Sequence, residues 1–167
     1  MIKVLLNGCN GKMGKVISQT VDEKFDDVKI VGGIDIDDTQ NFDYPVFDST
    51  DKVDQKADVI IDFSFYKAVD NILDYAEKTE TPIVVATTGR TDEHISHIRK
   101  AAETIPVFYS ANMSLGVNLI CELAKKAAEI LGGNFDIEIV EAHHNQKIDA
   151  PSGTALMIAD SINESLV

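Results

Sequence analysis

Apolar residues along this chain come in two alternating textures. Short, nearly unbroken runs rich in Ile, Val and Leu are followed by longer stretches in which apolar positions recur every three or four residues. The short runs, at residues 2–6, 28–34, 58–63, 82–86 and 106–109, read as strands buried on both faces. A further short strand is expected at 45–47, within an acidic and irregular stretch over 35–56. Helices are predicted over 12–24, with Met13, Val16, Ile17 and Thr20 on one face, and over 66–78. Another opens at Thr91, a helix-capping residue, and runs to 102. Strands separated by helices specify a parallel, doubly wound α/β sheet, because parallel neighbours need a crossover connection of helix length.

After Asn112 the texture changes. A long helix is predicted over 115–131, with Leu119, Leu123, Ala127 and Ile130 at helical spacing and Gly132-Gly133 as its stop. Residues 135–140 alternate and read as a strand. A polar loop follows, then a helix from about 152 to the end. The expected boundary lies near residue 113, giving domains over 1–112 and 113–167.

Bulk composition narrows the function classes. The 167 residues suffice for one good core and part of a second, and 44% hydrophobic with 26% charged is ordinary for a globular protein. No apolar run approaches the ~18 residues of a membrane helix. Residues 1–6 run straight into Asn7-Gly8, too short for the apolar region of a signal peptide, so a cytoplasmic location is expected. A net charge of −13 opposes nucleic acid or an anionic membrane as partner. It does not oppose a small anion held by local amides and a few cations. Cys9 and Cys121 form no disulfide framework and have no metal-site spacing, so both read as free thiols.

In such a sheet, ligands bind at the carboxyl ends of strands. The segments there are 8–11, Asp35, 63–64, 87–89 and 110–113, all small, polar or acidic. Gly8-Cys9-Asn10-Gly11-Lys12-Met13-Gly14 joins the first strand to the first helix, where glycine permits a tight turn and close approach to a pyrophosphate at the helix N-terminus. Its spacing is GxxGxxG, not the commoner GxGxxG. Asp35, about 20 residues further on, stands where a ribose-binding carboxylate belongs. No Lys or Arg occurs between Lys29 and Lys52, so a 2′-phosphate there would face carboxylates, which favours NADH over NADPH. Lys12 is the one local cation that softens this. Thr87-Thr88-Gly89 reads either as a plain turn or as a contact to ribose or nicotinamide. The fold class expected is thus a Rossmann-like doubly wound parallel sheet, followed by the start of an α+β substrate or oligomerisation domain.

The segment Glu141 to Ala155, EAHHNQKIDAPSGTA, carries the remaining chemistry. His143, His144 and Lys147 together suit an anionic substrate that must be protonated, although a polar surface loop would read the same way. A zinc site is not expected, since HHxxK lacks a third ligand. Ser152, Gly153 and Thr154 place free amides and small side chains at a helix start, a design for a carboxylate or phosphate.

At this point the chain resembles the 4-hydroxy-tetrahydrodipicolinate reductase (dihydrodipicolinate reductase) family of bacterial lysine and diaminopimelate biosynthesis. GCNGKMG resembles the family's nucleotide turn, DFS its third-strand end, ATTG its nicotinamide-side turn and SANMSLGVN its domain junction. EAHHNQKIDAPSGTA resembles its signature and is the most specific of these. The resemblance implies hydride transfer from NADH or NADPH to C4 of a cyclic imine dicarboxylate. His143 would be the general acid, with Lys147 assisting. His144, Ser152, Gly153 and Thr154 would hold the substrate carboxylates. Cofactor contacts are implied for Gly8, Cys9, Asn10, Gly11, Lys12 and Met13, and for Asp35. Further contacts are implied for Ala86, Thr87 and Thr88, and for Ser110, Ala111, Asn112 and Met113. Two departures stand out: Met113 where members often carry Phe, and Ile36 after Asp35 instead of the Arg of NADPH-preferring members, which again favours NADH. Family members also run well beyond 167 residues, so the chain is expected to be C-terminally short and the homotetramer to need the remainder. A non-catalytic NADH-binding module is the rival reading. A semialdehyde dehydrogenase is a third, but Cys9 and Cys121 are badly placed for its nucleophile.

Overall fold

Strands and helices alternate through the first 109 residues: β1 (Ile2–Asn7), α1 (Lys12–Lys24), β2 (Val28–Ile34), β3 (Val46–Phe47), β4 (Val59–Asp62), α2 (Val69–Lys78), β5 (Ile83–Val85), α3 (Asp92–Ala101) and β6 (Val107–Tyr109). The computed structural model describes residues 1–87, 91–110, 112–145 and 150–166. All six strands are parallel, in the order β3-β2-β1-β4-β5-β6. The doubly wound sheet expected from the sequence is the one observed. Its strand order reverses between β1 and β4, which sets the binding crevice at their carboxyl ends.

Alternation along β1 divides the core. Leu5 points to one face, where Ile60, Ile72, Leu73, Ile83 and Ile98 gather beneath α2 and α3. Val4 and Leu6 point to the other, with Cys9, Ile30 and Val46, against Ile17 and Val21 of α1. The face of α1 differs from the one expected. Met13 and Val16 are exposed, and the buried positions are Gly14 and Ser18. Close approach of α1 to the turn before it requires a residue without a side chain at 14. Ser18 is tolerated inside because its hydroxyl bonds the Gly14 carbonyl and the Tyr44 hydroxyl. On the opposite side of the sheet, α3 opens with a capping box between Thr91 and His94. His97 of α3 meets three carboxylates of α2, its Nδ1 2.8 Å from Asp70 and its Nε2 3.4 Å from Asp74 and 3.7 Å from Glu77.

A buried thiol and a half-buried phenol make the α1 side sensitive to alkali. Burial, with the Asp35 charge adding to it, pushes the Cys9 thiol from 9.0 up to about 11. Burial pushes the Tyr44 hydroxyl from 10.0 up to about 12, against the opposing pull of its Ser18 bond. Both groups stay neutral in the fold and ionise earlier once unfolded. Their contribution is therefore complete below pH 9.0 and is lost as pH climbs through about 11 and 12. The thermal midpoint is expected to fall across that window, and Tyr44→Phe should shallow the upper part of the decline. A flat profile in thermal melts would contradict the burial described.

Residues Asn112–Val167 form a second compact unit. It contains α4 (Leu115–Leu131) and α5 (Gly153–Ser165), which pack together over Cys121, Ala128 and Ile162. The inner face of α4 is thus built of small residues that let α5 approach. The predicted stripe faces elsewhere: Leu119, Leu123 and Ile130 are all more than half exposed. Nor do residues 135–140 form the expected strand. Their alternation is real, yet a strand is stabilised by a neighbour that satisfies its N–H and C=O groups, and the described part of this unit contains no such neighbour. Among the described residues, no helix is long and apolar enough to cross a membrane.

Candidate functional site

The turn after β1 is fixed by two glycines. Gly8 has φ +83°, and a Cβ on it would sit 2.8 Å from the Phe63 carbonyl oxygen. A Cβ on Gly14 would overlap the Gly8 carbonyl oxygen and lie 2.5 Å from that of Cys9. The Gly8 N–H donates to Ile34 O at 2.8 Å, and the Gly11 N–H to Gly8 O at 3.2 Å. Gly11 is exposed and is the N-cap of α1, offering no side-chain cap; the first turn holds no acidic residue. The positive end of the helix dipole is therefore open to an anion. Cys9 contributes only its backbone here, since its side chain is buried against Gly33. Lys12 and Met13 are exposed on the first turn of α1.

Asp35, half-buried at the end of β2, latches onto this turn. Its Oδ2 accepts the Asn10 N–H at 2.9 Å and its Oδ1 the Asp37 N–H at 3.2 Å. The Asn10 side chain returns the link, donating to Asp37 O at 2.6 Å and Thr39 O at 3.1 Å. Beside them opens a cleft of about 890 Å³, bounded by Gly8, Asn10, Gly11, Asp35, Ser64 and Phe65. Asp35, Asp37, Asp48, Asp51 and Asp74 all line it, with Lys78 as the one lining cation among the described residues. The nearby ends of β5 and β6 behave differently. Ala86 and Thr87 are buried, and the Thr87 hydroxyl donates to Asp62 at 2.6 Å. The Ser110 N–H donates to Val85 O at 3.1 Å. Thr88, Ala111 and Lys147 lie outside the described residues.

In the second unit, Ser152 caps α5, its hydroxyl accepting the Ala155 N–H at 3.1 Å. Glu141 ties the histidine segment to that helix start. One of its oxygens accepts the Ser152 N–H at 2.9 Å, and the other lies 3.6 Å from His143 Nδ1. This carboxylate lies on the Nδ1 side of the imidazole. His143 and His144 are both exposed, as is Gly153, and a Cβ on Gly153 would meet nothing within 4 Å. Among the described residues, no packing demands glycine there. Asn112 bonds the Thr154 hydroxyl at 3.4 Å, and Met113 is 46% exposed. Asp62 and Glu141 were not singled out by the sequence. Asp62 stood only within the DFS motif and Glu141 only at the head of EAHHNQKIDAPSGTA, and neither was given a role.

Comparison with known proteins separates this arrangement from other dinucleotide folds. The profile of "Dihydrodipicolinate reductase, N-terminus" matches residues 2–113, and that of "Dihydrodipicolinate reductase, C-terminus" matches residues 116–166. The chain belongs to the dihydrodipicolinate reductase family. It is 49% identical over 166 residues to the 4-hydroxy-tetrahydrodipicolinate reductase of Caldanaerobacter subterraneus subsp. tengcongensis, covering 99% of this chain and 65% of that protein. It is 47% identical over 166 residues to the same-named protein of Clostridium perfringens, again covering 99% and 65%. Among solved structures, the dipicolinate-bound dihydrodipicolinate reductase from Paenisporosarcina sp. TG-14 superposes with a TM-score of 0.78 at 31% identity, covering 99% of this chain and 67% of that one. The chain thus spans 65% of the length of the two dihydrodipicolinate reductase relatives matched by sequence.

Proposed function

We propose that this chain carries the cofactor cleft and much of the substrate cradle of a reductase that converts 4-hydroxy-tetrahydrodipicolinate to tetrahydrodipicolinate. The observation that carries this is the match of both parts of the chain to one family: the first holds the glycine turn, the second His143 and the Ser152 to Thr154 helix start.

The dinucleotide fits the residues present, because the exposed Gly11 and uncapped α1 leave open amides where a pyrophosphate sits. Once the 4-hydroxyl has left as water with a proton from the adjacent carbon, the reduced nicotinamide, when bound, would supply the hydride that goes to C4 of the resulting double bond. Asp35 orients the adenosine ribose. Five carboxylates against one cation around the cleft oppose an added 2′-phosphate, so NADH is preferred and NADPH remains possible. His143, oriented by Glu141, delivers the proton to the carbon beside C4, with Lys147 assisting. His144 and the amides of Gly153 and Thr154, at the Ser152-capped N-terminus of α5, hold the two substrate carboxylates. The bound dipicolinate of the Paenisporosarcina relative supports a cyclic dicarboxylate as the ligand class. Assembly as a homotetramer belongs to the same proposal.

Calorimetric titration of the 167-residue chain with NADH, then NADPH, then pyridine-2,6-dicarboxylate tests this reading. NADH is expected to bind more tightly than NADPH, by about tenfold on the scale of one charge–charge conflict. The dicarboxylate is expected to bind more strongly once NADH is present. NADH binding without a dicarboxylate response favours a cofactor module alone. No binding of either nucleotide sinks the reading.

A further inference from the structure

The end of β4 carries a fully buried carboxylate. Asp62 is 0% exposed and stands in register between Asn7 of β1 and Val85 of β5. Its Oδ1 accepts the Asn7 side-chain N–H at 2.8 Å, the Ser64 backbone N–H at 3.1 Å and the Ser64 hydroxyl at 2.6 Å. Its Oδ2 accepts the Thr87 hydroxyl at 2.6 Å. Asn7 and Thr87 are themselves buried. Among the described residues no cation pairs with Asp62.

Burying a carboxylate without a counter-charge is costly, and apolar packing alone would not call for one here. Packing therefore does not account for it. What the carboxylate adds is geometry: donors from three strand ends converge on one planar acceptor. Those ends flank the point where the strand order reverses, where a sheet of this kind binds its ligand. Asn7 leads into the glycine turn, Ser64 lines the cleft, and Thr87 lies just past the end of β5.

We propose that Asp62 is a positioning residue for the dinucleotide. It holds the ends of β1, β4 and β5 at the spacing the cofactor needs, and it does so through Asn7, Ser64 and Thr87. Thr87 serves the ligand by where its backbone lies, because its hydroxyl is committed to Asp62. With Asp35 taking the adenosine side, the β4 and β5 ends serve the nicotinamide side. This rests on the dinucleotide reading above.

The test compares the 167-residue chain with Asp62→Asn, Thr87→Val and Thr87→Ser, titrating NADH and, as a probe lacking nicotinamide, ADP-ribose. Thermal melts run in parallel. Thr87→Val keeps the shape and removes the donor; Thr87→Ser restores it. Asp62→Asn and Thr87→Val are expected to weaken NADH about tenfold, and Thr87→Ser by less than about twofold, as loss or retention of one buried charge-assisted bond implies. ADP-ribose should change little in Thr87→Val. Should Asp62→Asn fail to fold, the two Thr87 variants carry the test. Wild-type NADH affinity in Thr87→Val overturns the proposal. So does an equal loss of NADH and ADP-ribose that tracks a lowered melting temperature, which would mark Asp62 as structural only. If the wild-type chain itself binds no NADH, the dinucleotide reading falls and this one with it.

Discussion

Gly14→Ala is expected to cost at least about 3 kcal/mol, lowering the melting temperature by roughly 10 °C. The added Cβ would overlap the Gly8 carbonyl oxygen and crowd that of Cys9. Both obstacles are backbone, so no rotamer change relieves them. Nor can the turn shift freely, because Gly8 is pinned by its bond to Ile34 O and by its own contact with Phe63. The helix must move outward instead, dragging Ile17 and Val21 off the core. Gly11→Ala is the contrast. Its Cβ would meet only the Gly8 oxygen, at 3.2 Å, a contact that a few tenths of an ångström relieves. Stability should change by less than about 1 kcal/mol, while NADH affinity falls because the methyl group occupies the approach to the helix start. Circular dichroism melts of the two variants check this. Equal melting temperatures for Gly14→Ala and wild type would show that the helix does not approach the turn as described.

His143→Ala is expected to reduce turnover by about a hundredfold or more, the usual range for loss of a positioned proton donor. NADH affinity should stay within a few-fold of wild type, since His143 belongs to the second unit and makes its recorded ion-pair contact with Glu141. The dicarboxylate response should persist too, because His144 and the α5 amides remain. Turnover is measured as NADH oxidation dependent on 4-hydroxy-tetrahydrodipicolinate, on this chain or, if it shows none, on this chain fused to the C-terminal third of the Caldanaerobacter relative. Glu141→Gln should give a smaller loss of rate, by leaving the imidazole without a charged partner on Nδ1. An NADH affinity that collapses in His143→Ala would remove the proton-donor assignment.

The sequence and the structure divide the explanation unevenly. Apolar runs of the right length and glycine at 8, 11 and 14 were enough to specify a parallel sheet with a close glycine turn between β1 and α1. These are local signals: run length sets strand or helix, and glycine marks where the backbone must come close. The helix stops and caps at Thr91, Ser152 and Gly132 were legible for the same reason. The face of α1 was not. Periodicity assigns apolar residues inward, and it cannot anticipate that close approach would turn Gly14 and Ser18 inside while leaving Met13 and Val16 out. Residues 135–140 failed in the opposite direction, since alternation describes one strand and a strand is held by a second.

What the sequence alone determined is the order of elements, the sheet type and the residue types available at the strand ends. Tertiary structure decided which of them meet. Asn7, Asp62 and Thr87 are up to 80 positions apart in the chain and meet only because β1, β4 and β5 lie side by side. Glu141 and Ser152 lie 11 positions apart and meet where the Glu141 carboxylate accepts the Ser152 N–H at the start of α5. Hydrogen-bond partners across such distances are set by strand order and chain reversal, which no local pattern encodes.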